Sequence, residues 1–273
     1  MADAPNDKSS VHCPSLGAYE GPFRSSGNWS MQASNADELE LGGRHRHWMS
    51  SLEVDVGRCL CVHSSFQAVD VAFQSILYKR GFAPAPFSQV TACAESRDEQ
   101  TFVAQYNKIR ESLRELFRSC NGHHLRSVVL LIGGCHMLPK ELYRFPIRDC
   151  HLPDLPSGNG CCSKCSELSK KEVRQMCLSL TVDFDLSEMP HLPQEAYAYV
   201  MVSVSTAARY PPELFTPYED FELPSEKKAK ERHMLVSYIS FKHHCPSAGS
   251  EYSSQNDESI WLRLDPVLHR LNA

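Results

Sequence analysis

The first 50 residues carry few apolar positions; beyond them the hydrophobic pattern becomes strongly periodic. Val62, Phe66, Val69, Phe73, Ile76 and Leu77 recur at spacings of four, three, four, three and one. That stripe predicts a helix over about 61–80, one face buried and the other solvated. Gly81 is placed as its C′ stop, and Pro84 and Pro86 forbid continuation. A second stripe, Phe102, Tyr106, Ile109, Leu113, Leu116, Phe117 and Cys120, predicts a helix over 99–120, closed by Asn121-Gly122. Leu168, Met176, Cys177 and Leu180 predict a third over 166–181.

Between the second and third helices, Val128-Val129-Leu130-Leu131-Ile132 is uninterrupted and rich in β-branched residues, then meets Gly133-Gly134. It reads as a strand buried on both faces. Pro139 to Ile147 reads as a short turn into extended chain, and residues 150–166 as a Pro, Gly, Ser and Cys loop. Later segments alternate with period two: Tyr197 to Val204, His233 to Phe241, and the short Ile260-Trp261-Leu262-Arg263-Leu264. Three helices with late strands give α+β, with the helices on one face of a largely antiparallel sheet. The mixed-sign run Glu226 to Arg232 is expected to be an exposed connecting loop. Residues 1–50 hold too few apolar side chains to offset ordering entropy and are expected to be a disordered tail. Leu39-Glu40-Leu41 and Trp48-Met49 are its apolar islands. The folded domain is then 51–273.

Charge and composition narrow the function. The formal net charge is −5, which argues against nucleic acid as a partner, since phosphate binding relies on clustered Lys and Arg. No apolar run reaches the ~20 residues a bilayer requires, so no membrane partner is expected. The N-terminus lacks a basic n-region and an apolar h-region, which places the chain inside the cell and its 12 cysteines in a reducing compartment.

Few constellations suggest chemistry. Cys162 and Cys165 form a CxxC pair beside Cys161, with Cys150-His151 upstream. This is half of a zinc site, with no second pair to close the tetrahedron. Cys59, Cys61 and His63 would share one face of an extended segment, but no further ligand group stands nearby in sequence, so small residues entering a helix are the preferred reading. The vicinal pairs His123-His124 and His243-His244 point apart in β geometry and read as solvated loop ends. Gly133-Gly134 lacks the remaining positions of a phosphate loop and reads as a tight turn with positive φ. With no nucleotide, metal or nucleophile motif, the expectation is an interaction module: no enzyme and no cofactor.

Four stretches, in order, carry a resemblance. They are Ile76-Leu77-Tyr78-Lys79-Arg80 followed by Ala83-Pro84-Ala85-Pro86-Phe87; Val128 to Gly134 with Leu138-Pro139-Lys140-Glu141-Leu142-Tyr143; Phe215-Thr216-Pro217 with Phe221 and Pro224-Ser225; and Ile260-Trp261. Together, over about 59–270, they resemble the comet family of Mad-two-binding proteins, which silence the spindle assembly checkpoint. The resemblance implies a HORMA-like fold, three helices on a largely antiparallel sheet with a C-terminal safety-belt segment. In that family the C-terminal strand, here Ile260, Trp261 and Leu262, fills the seat that a bound peptide takes in Mad-two.

The resemblance also implies partners and sites. A non-enzymatic adaptor would bind closed-conformer Mad-two through the first helix (Tyr78, Lys79, Arg80) and the third (near Val173), and engage an AAA+ remodelling ATPase through Pro217 and Tyr218. Its action would disassemble the mitotic checkpoint complex, in nucleus and cytoplasm and at the spindle and kinetochore in mitosis. The chain departs from the family pattern at Lys79, where Gln is expected, at Val173, where an aromatic anchor is expected, and at Tyr218, where Lys is expected. Two alternatives stand beside this reading: a peptide-clasping HORMA protein with another client, and an interaction domain stabilised by zinc at the Cys162 and Cys165 loop.

Overall fold

A computed structural model describes residues 48–120, 124–148, 166–182, 184, 191–193, 195–242, 244 and 258–271. The expected disordered tail therefore lies outside the described residues almost entirely, and so do His123, His243, Cys150, His151, Cys161, Cys162 and Cys165. The chain divides between Arg46 and His47. The fold belongs to the second part.

Among the described residues the elements run β1 (Met49–Val54), α1 (Val62–Lys79), α2 (Phe87–Cys93), α3 (Arg97–Ser119), β2 (Leu125–Gly133), β3 (Glu141–Pro146), α4 (Lys170–Val182), β4 (Tyr197–Ser205), β5 (Phe215–Pro217), α5 (Glu226–Glu231), β6 (Leu235–Phe241), β7 (Ser259–Leu264) and β8 (Leu268–His269). The strands form one sheet in the order β1-β6-β3-β2-β4-β7-β5, with β8 pairing β4. This is an α+β molecule on a mixed sheet. β1 and β3 both run parallel to β6, and the remaining ladders are antiparallel. Apolar alternation reports which face a strand buries, not its direction, so the parallel pairs were invisible in the pattern.

Alternation along the strands sorts two cores. Val128, Leu130 and Ile132 of β2, with Val200, Val202 and Val204 of β4 and Leu262 and Leu264 of β7, pack under the helices. Val129, Leu131, Leu142, Met201 and Val236 face the other way, toward Ala229 of α5 and Met234. On the helix side Phe73 stacks edge-on against Phe145 at 5.3 Å, and Phe66 against Phe117 at 5.8 Å. Such pairs add about 0.5–1.5 kcal/mol each beyond area burial. The buried Tyr106 hydroxyl of α3 donates to Asp70 Oδ1 of α1 at 2.8 Å.

Local chemistry sets the boundaries. Ser96 and Glu99 form a reciprocal capping box at the start of α3: Glu99 N–H donates to Ser96 Oγ at 3.2 Å, and Ser96 N–H to Glu99 Oε2 at 2.9 Å. The Glu99 carboxyl accepts from the Ser96 N–H, the Ser96 hydroxyl and the Glu95 N–H, and these bonds hold it below its ordinary value. Gly81 ends α1 at φ +70°, as its C′ placement requires, with its N–H bonded to Tyr78 O. Gly133 is different. It has no positive φ, but a Cβ there would stand 3.0 Å from the backbone of Pro139 and Lys140. Close approach, not a left-handed turn, is what demands glycine.

Four expectations are corrected. Met49, read as an island in a tail, opens β1, whose apolar positions 49, 52 and 54 are too few for a clear period. Pro86 stops α1 from continuing, but its carbonyl accepts from Gln89 and Val90 and so opens α2. The charged run 226–232 is α5 rather than a loop: Ser225 caps it by accepting from Lys228 N–H at 3.3 Å, and Ala229 buries against the sheet. The third helix begins at Lys170, not Ser166.

Candidate partner-binding surfaces

Helices α1 and α4 pack side by side and run in the same direction. Polar ties mark the register. Leu168 N–H donates to Gln67 Oε1 at 2.5 Å, Arg58 just ahead of α1 pairs with Glu172 at 2.6 Å, and Ser75 stands near the Cys177 thiol. At the far end Lys79 Nζ donates to Thr181 O at 2.9 Å and to Phe184 O at 2.7 Å. Burial pushes Glu172 up, but bonds from Ser169 and Arg58 outweigh it and hold the carboxyl below its ordinary value.

The three consecutive residues expected to contact a partner meet three different fates. Tyr78 stands 45% exposed. Lys79 reaches sideways to the end of α4. Arg80 is buried: Nε donates to Glu141 Oε2 at 2.9 Å, a second guanidinium nitrogen bonds Oε1, and the Tyr143 hydroxyl donates to the same carboxylate at 2.7 Å. Burial and the Glu141 charge push the Tyr143 hydroxyl well above its ordinary value. Arg80 is thus an internal ion-pair residue and presents no surface contact.

On α4 the expected anchor, Val173, is half-buried and packs against the core. Leu178, 56% exposed, and Val182, 73% exposed, protrude instead, one turn apart. Met176 and Leu180 supply the buried stripe of the same helix. An apolar residue lying off that stripe is the sequence signal for a partner surface, and it was legible at Leu178 and Val182. The tie at Thr181 puts them at the same end of the helix pair as Tyr78.

The C-terminal belt lies within the sheet. Leu262 pairs with Val202 of β4 on one side and with Pro217 of β5 on the other; Trp261 pairs with Ser203 and Ile260 with Val204. Leu262 is fully buried and Ile260 packs on the helix-side core, while Trp261 turns to the opposite face and meets Phe221 edge-on at 4.9 Å. The edge of β4 is thereby filled by the chain's own strand.

Tyr218 stands on that opposite face and lines a cleft of about 210 Å³, whereas Pro217, on β5, pairs with Leu262. Pro217 is exposed. Tyr218 is half-buried, its N–H donates to Trp261 O at 2.8 Å, and its hydroxyl contacts Met137 Sδ. The His136 ring sits 5.4 Å from both Tyr218 and Tyr199. Burial and nearby Arg263 hold His136 below its ordinary value. Phe221 and Met234 complete the apolar lining, with Asp220, Glu222, Lys228 and Arg232 at the rim. The sequence reading missed this cleft because its walls come from three separated segments, 136–142, 218–224 and 228–234.

The remaining candidates do not assemble. Cys59 and Cys61 are buried whereas His63 is exposed, so the three do not share a face. Cys61 enters α1 and its N–H donates to Ser64 Oγ at 2.8 Å. His244, expected at a solvated loop end, bonds Asp55 through Nε2 at 2.7 Å and donates its backbone N–H to Cys59 Sγ. A backbone bond from Gly57 and the His244 side chain hold Asp55 below its ordinary value. Cys93 is disulfide-bonded, which departs from the uniformly reduced thiols expected. Among the described residues no group of three His, Cys, Asp or Glu side chains is placed to hold a metal ion, and no helix is long and apolar enough to cross a membrane. No family model matches the chain, and no curated protein matches it.

Proposed function

We propose that the chain is a HORMA-like adaptor of the comet type, without an active site of its own. It binds closed-conformer Mad-two through the exposed end of α1 and α4 and offers that complex to an AAA+ remodelling ATPase through the loop at Pro217 and Tyr218. ATP hydrolysis by the ATPase then disassembles the checkpoint complex, in nucleus, cytoplasm and at the spindle. Tyr78, Leu178 and Val182 are the partner contacts, Arg80 acts from inside the fold, and Val173 supports α4 from below.

One observation carries this reading. β7 is seated between β4 and β5, so the sheet edge at which a peptide-clasping relative would trap a ligand is already filled by the chain itself. Strand addition requires an unpaired edge, which disfavours the peptide-clasping alternative. Recognition then falls to side-chain surface, and the exposed apolar residues at the end of α1 and α4 supply it.

The test is a titration of the full chain against Mad-two locked in its closed form and, separately, in its open form. The two conformers share a sequence, so discrimination equals a difference in contacts with the surface that rearranges. A stable complex with the closed form alone is expected. A well-folded chain that binds neither form would remove the assignment, and capture of short extended peptides would favour the clasping alternative.

A further inference from the structure

We propose that Lys79 is a positioning residue: its ammonium ties the C-terminal ends of α1 and α4 together and so holds Tyr78, Leu178 and Val182 as one docking face, without itself touching the partner. The docking step rests on the reading above; the tie does not.

The argument begins with direction. Because α1 and α4 run parallel, with Gln67 bonded near the start of one to Leu168 ahead of the other, Ser75 near Cys177, and Lys79 on Thr181, their C-terminal ends lie side by side. Each end is the negative pole of a helix dipole. Two such poles placed together repel. Lys79 stands in the last turn of α1, where a cation is favourable to its own helix, and its Nζ reaches 2.9 Å from Thr181 O and 2.7 Å from Phe184 O at the end of the other. One charge serves both helix ends.

The tie adds to packing. In the last two turns of α4, Met176 and Leu180 are buried, and Phe184 just beyond the helix is buried and meets Tyr143 edge-on at 6.0 Å, while Leu178 and Val182 face outward. Helix ends open more readily than helix interiors, and Lys79 adds a polar bond to the packing there, beside Tyr78. This also accounts for Lys where the family resemblance leads one to expect Gln: a neutral amide could donate to a carbonyl but could not neutralise two helix poles.

Amide hydrogen exchange on the free, full-length protein reads the tie directly. Lys79→Met keeps most of the aliphatic stem and removes the charge; Lys79→Arg keeps a cation. Loss of a cation at a helix C-terminus predicts ~3- to 30-fold faster exchange at Leu178 to Val182 in the Met variant, with β2 and β4 unchanged and the Arg variant close to wild type. Unchanged exchange at the end of α4 in Lys79→Met, or an Arg variant as labile as the Met one, overturns the tie. The second arm titrates closed Mad-two in the wild-type and Val182→Ala backgrounds. A positioning role predicts that the loss caused by Lys79→Met shrinks in the Val182→Ala background, because the two act through one face; an equal loss in both makes Lys79 a direct contact and overturns the proposal. If the wild-type chain fails to bind closed Mad-two, the partner reading falls while the exchange arm still decides the tie.

Discussion

The two faces of the sheet are built to different depths. Under α1, α3 and α4, large side chains such as Phe73, Phe117, Phe145 and Leu116 are fully buried and interlock. The opposite face is roofed by the six residues of α5 and the segment around Tyr218 to Leu223, so that Tyr199, Tyr218, Phe221, Tyr238 and Trp261 are only partly covered. The deep face supplies the fold's free energy, since burial is worth about 25 cal/mol per Å² of apolar surface. The shallow face leaves a cleft and a row of aromatic rings within reach of solvent. Stability and accessible surface are thus kept on different sides of one sheet, and β7 belongs to both, with Leu262 pointing into the deep side and Trp261 into the shallow one.

The largest expected effect breaks the deep side from within. Arg80→Met strands the buried Glu141 carboxylate without its cation and should cost about 3–5 kcal/mol, read as a drop in the urea midpoint at unchanged slope. Replacing both partners, Arg80→Met with Glu141→Leu, should recover much of that loss, because the penalty lies in the orphaned charge. A mere surface role for Arg80 would leave the midpoint unmoved.

Next comes the adjacent pair on β7. Leu262→Ala should cost about 2–5 kcal/mol, the range for emptying a closed core site. Trp261→Ala removes a larger side chain from a partly solvated place and should cost less, about 1–2 kcal/mol. The reverse ranking in thermal melts would mean that the shallow face holds the belt down. Smaller still is the effect on stability of Leu178→Ser or Val182→Ser, within about 0.5 kcal/mol because both side chains face solvent. In contrast, each should weaken the proposed closed Mad-two complex by about 1–3 kcal/mol if it is an interface anchor.

The smallest effect is a pH dependence on the shallow side. His136 is held below its ordinary value of 6.5 by burial and Arg263, so its neutral form is the one the fold prefers. As pH falls below 6.5 the unfolded chain takes up a proton that the folded chain refuses, and stability falls until pH reaches the depressed native value. His136→Gln should flatten this part of the stability curve in melts between neutral and mildly acidic pH. A curve identical to wild type would place the titration elsewhere.

How far the sequence reached differs along the same divide. α1 and α3 were legible because a long amphipathic stripe reports one buried face over many turns, and β2 because a continuous β-branched run must be covered on both sides. α5 and β1 were not: six residues give less than two turns of helix, and a strand with polar Ser50 and Ser51 carries no clear alternation. The site divides likewise. Tyr78 and Arg80 were both expected at a partner surface only through the family resemblance, and Arg80 was not seen to turn inward, because its partner Glu141 lies 61 residues on. Long-range charge pairing leaves no local period in the sequence.

The central claim is that recognition uses the end of α1 and α4 rather than the filled sheet edge or the aromatic cleft. Hydrogen exchange of the full chain with and without saturating closed Mad-two tests it most directly. The account predicts new protection at the end of α1 around Tyr78 and in the last turns of α4 around Leu178 and Val182, with β7 and the segment from Pro217 to Pro224 unchanged. Protection at β7 or around Tyr218 and Phe221, with the helix ends left as labile as before, would contradict it.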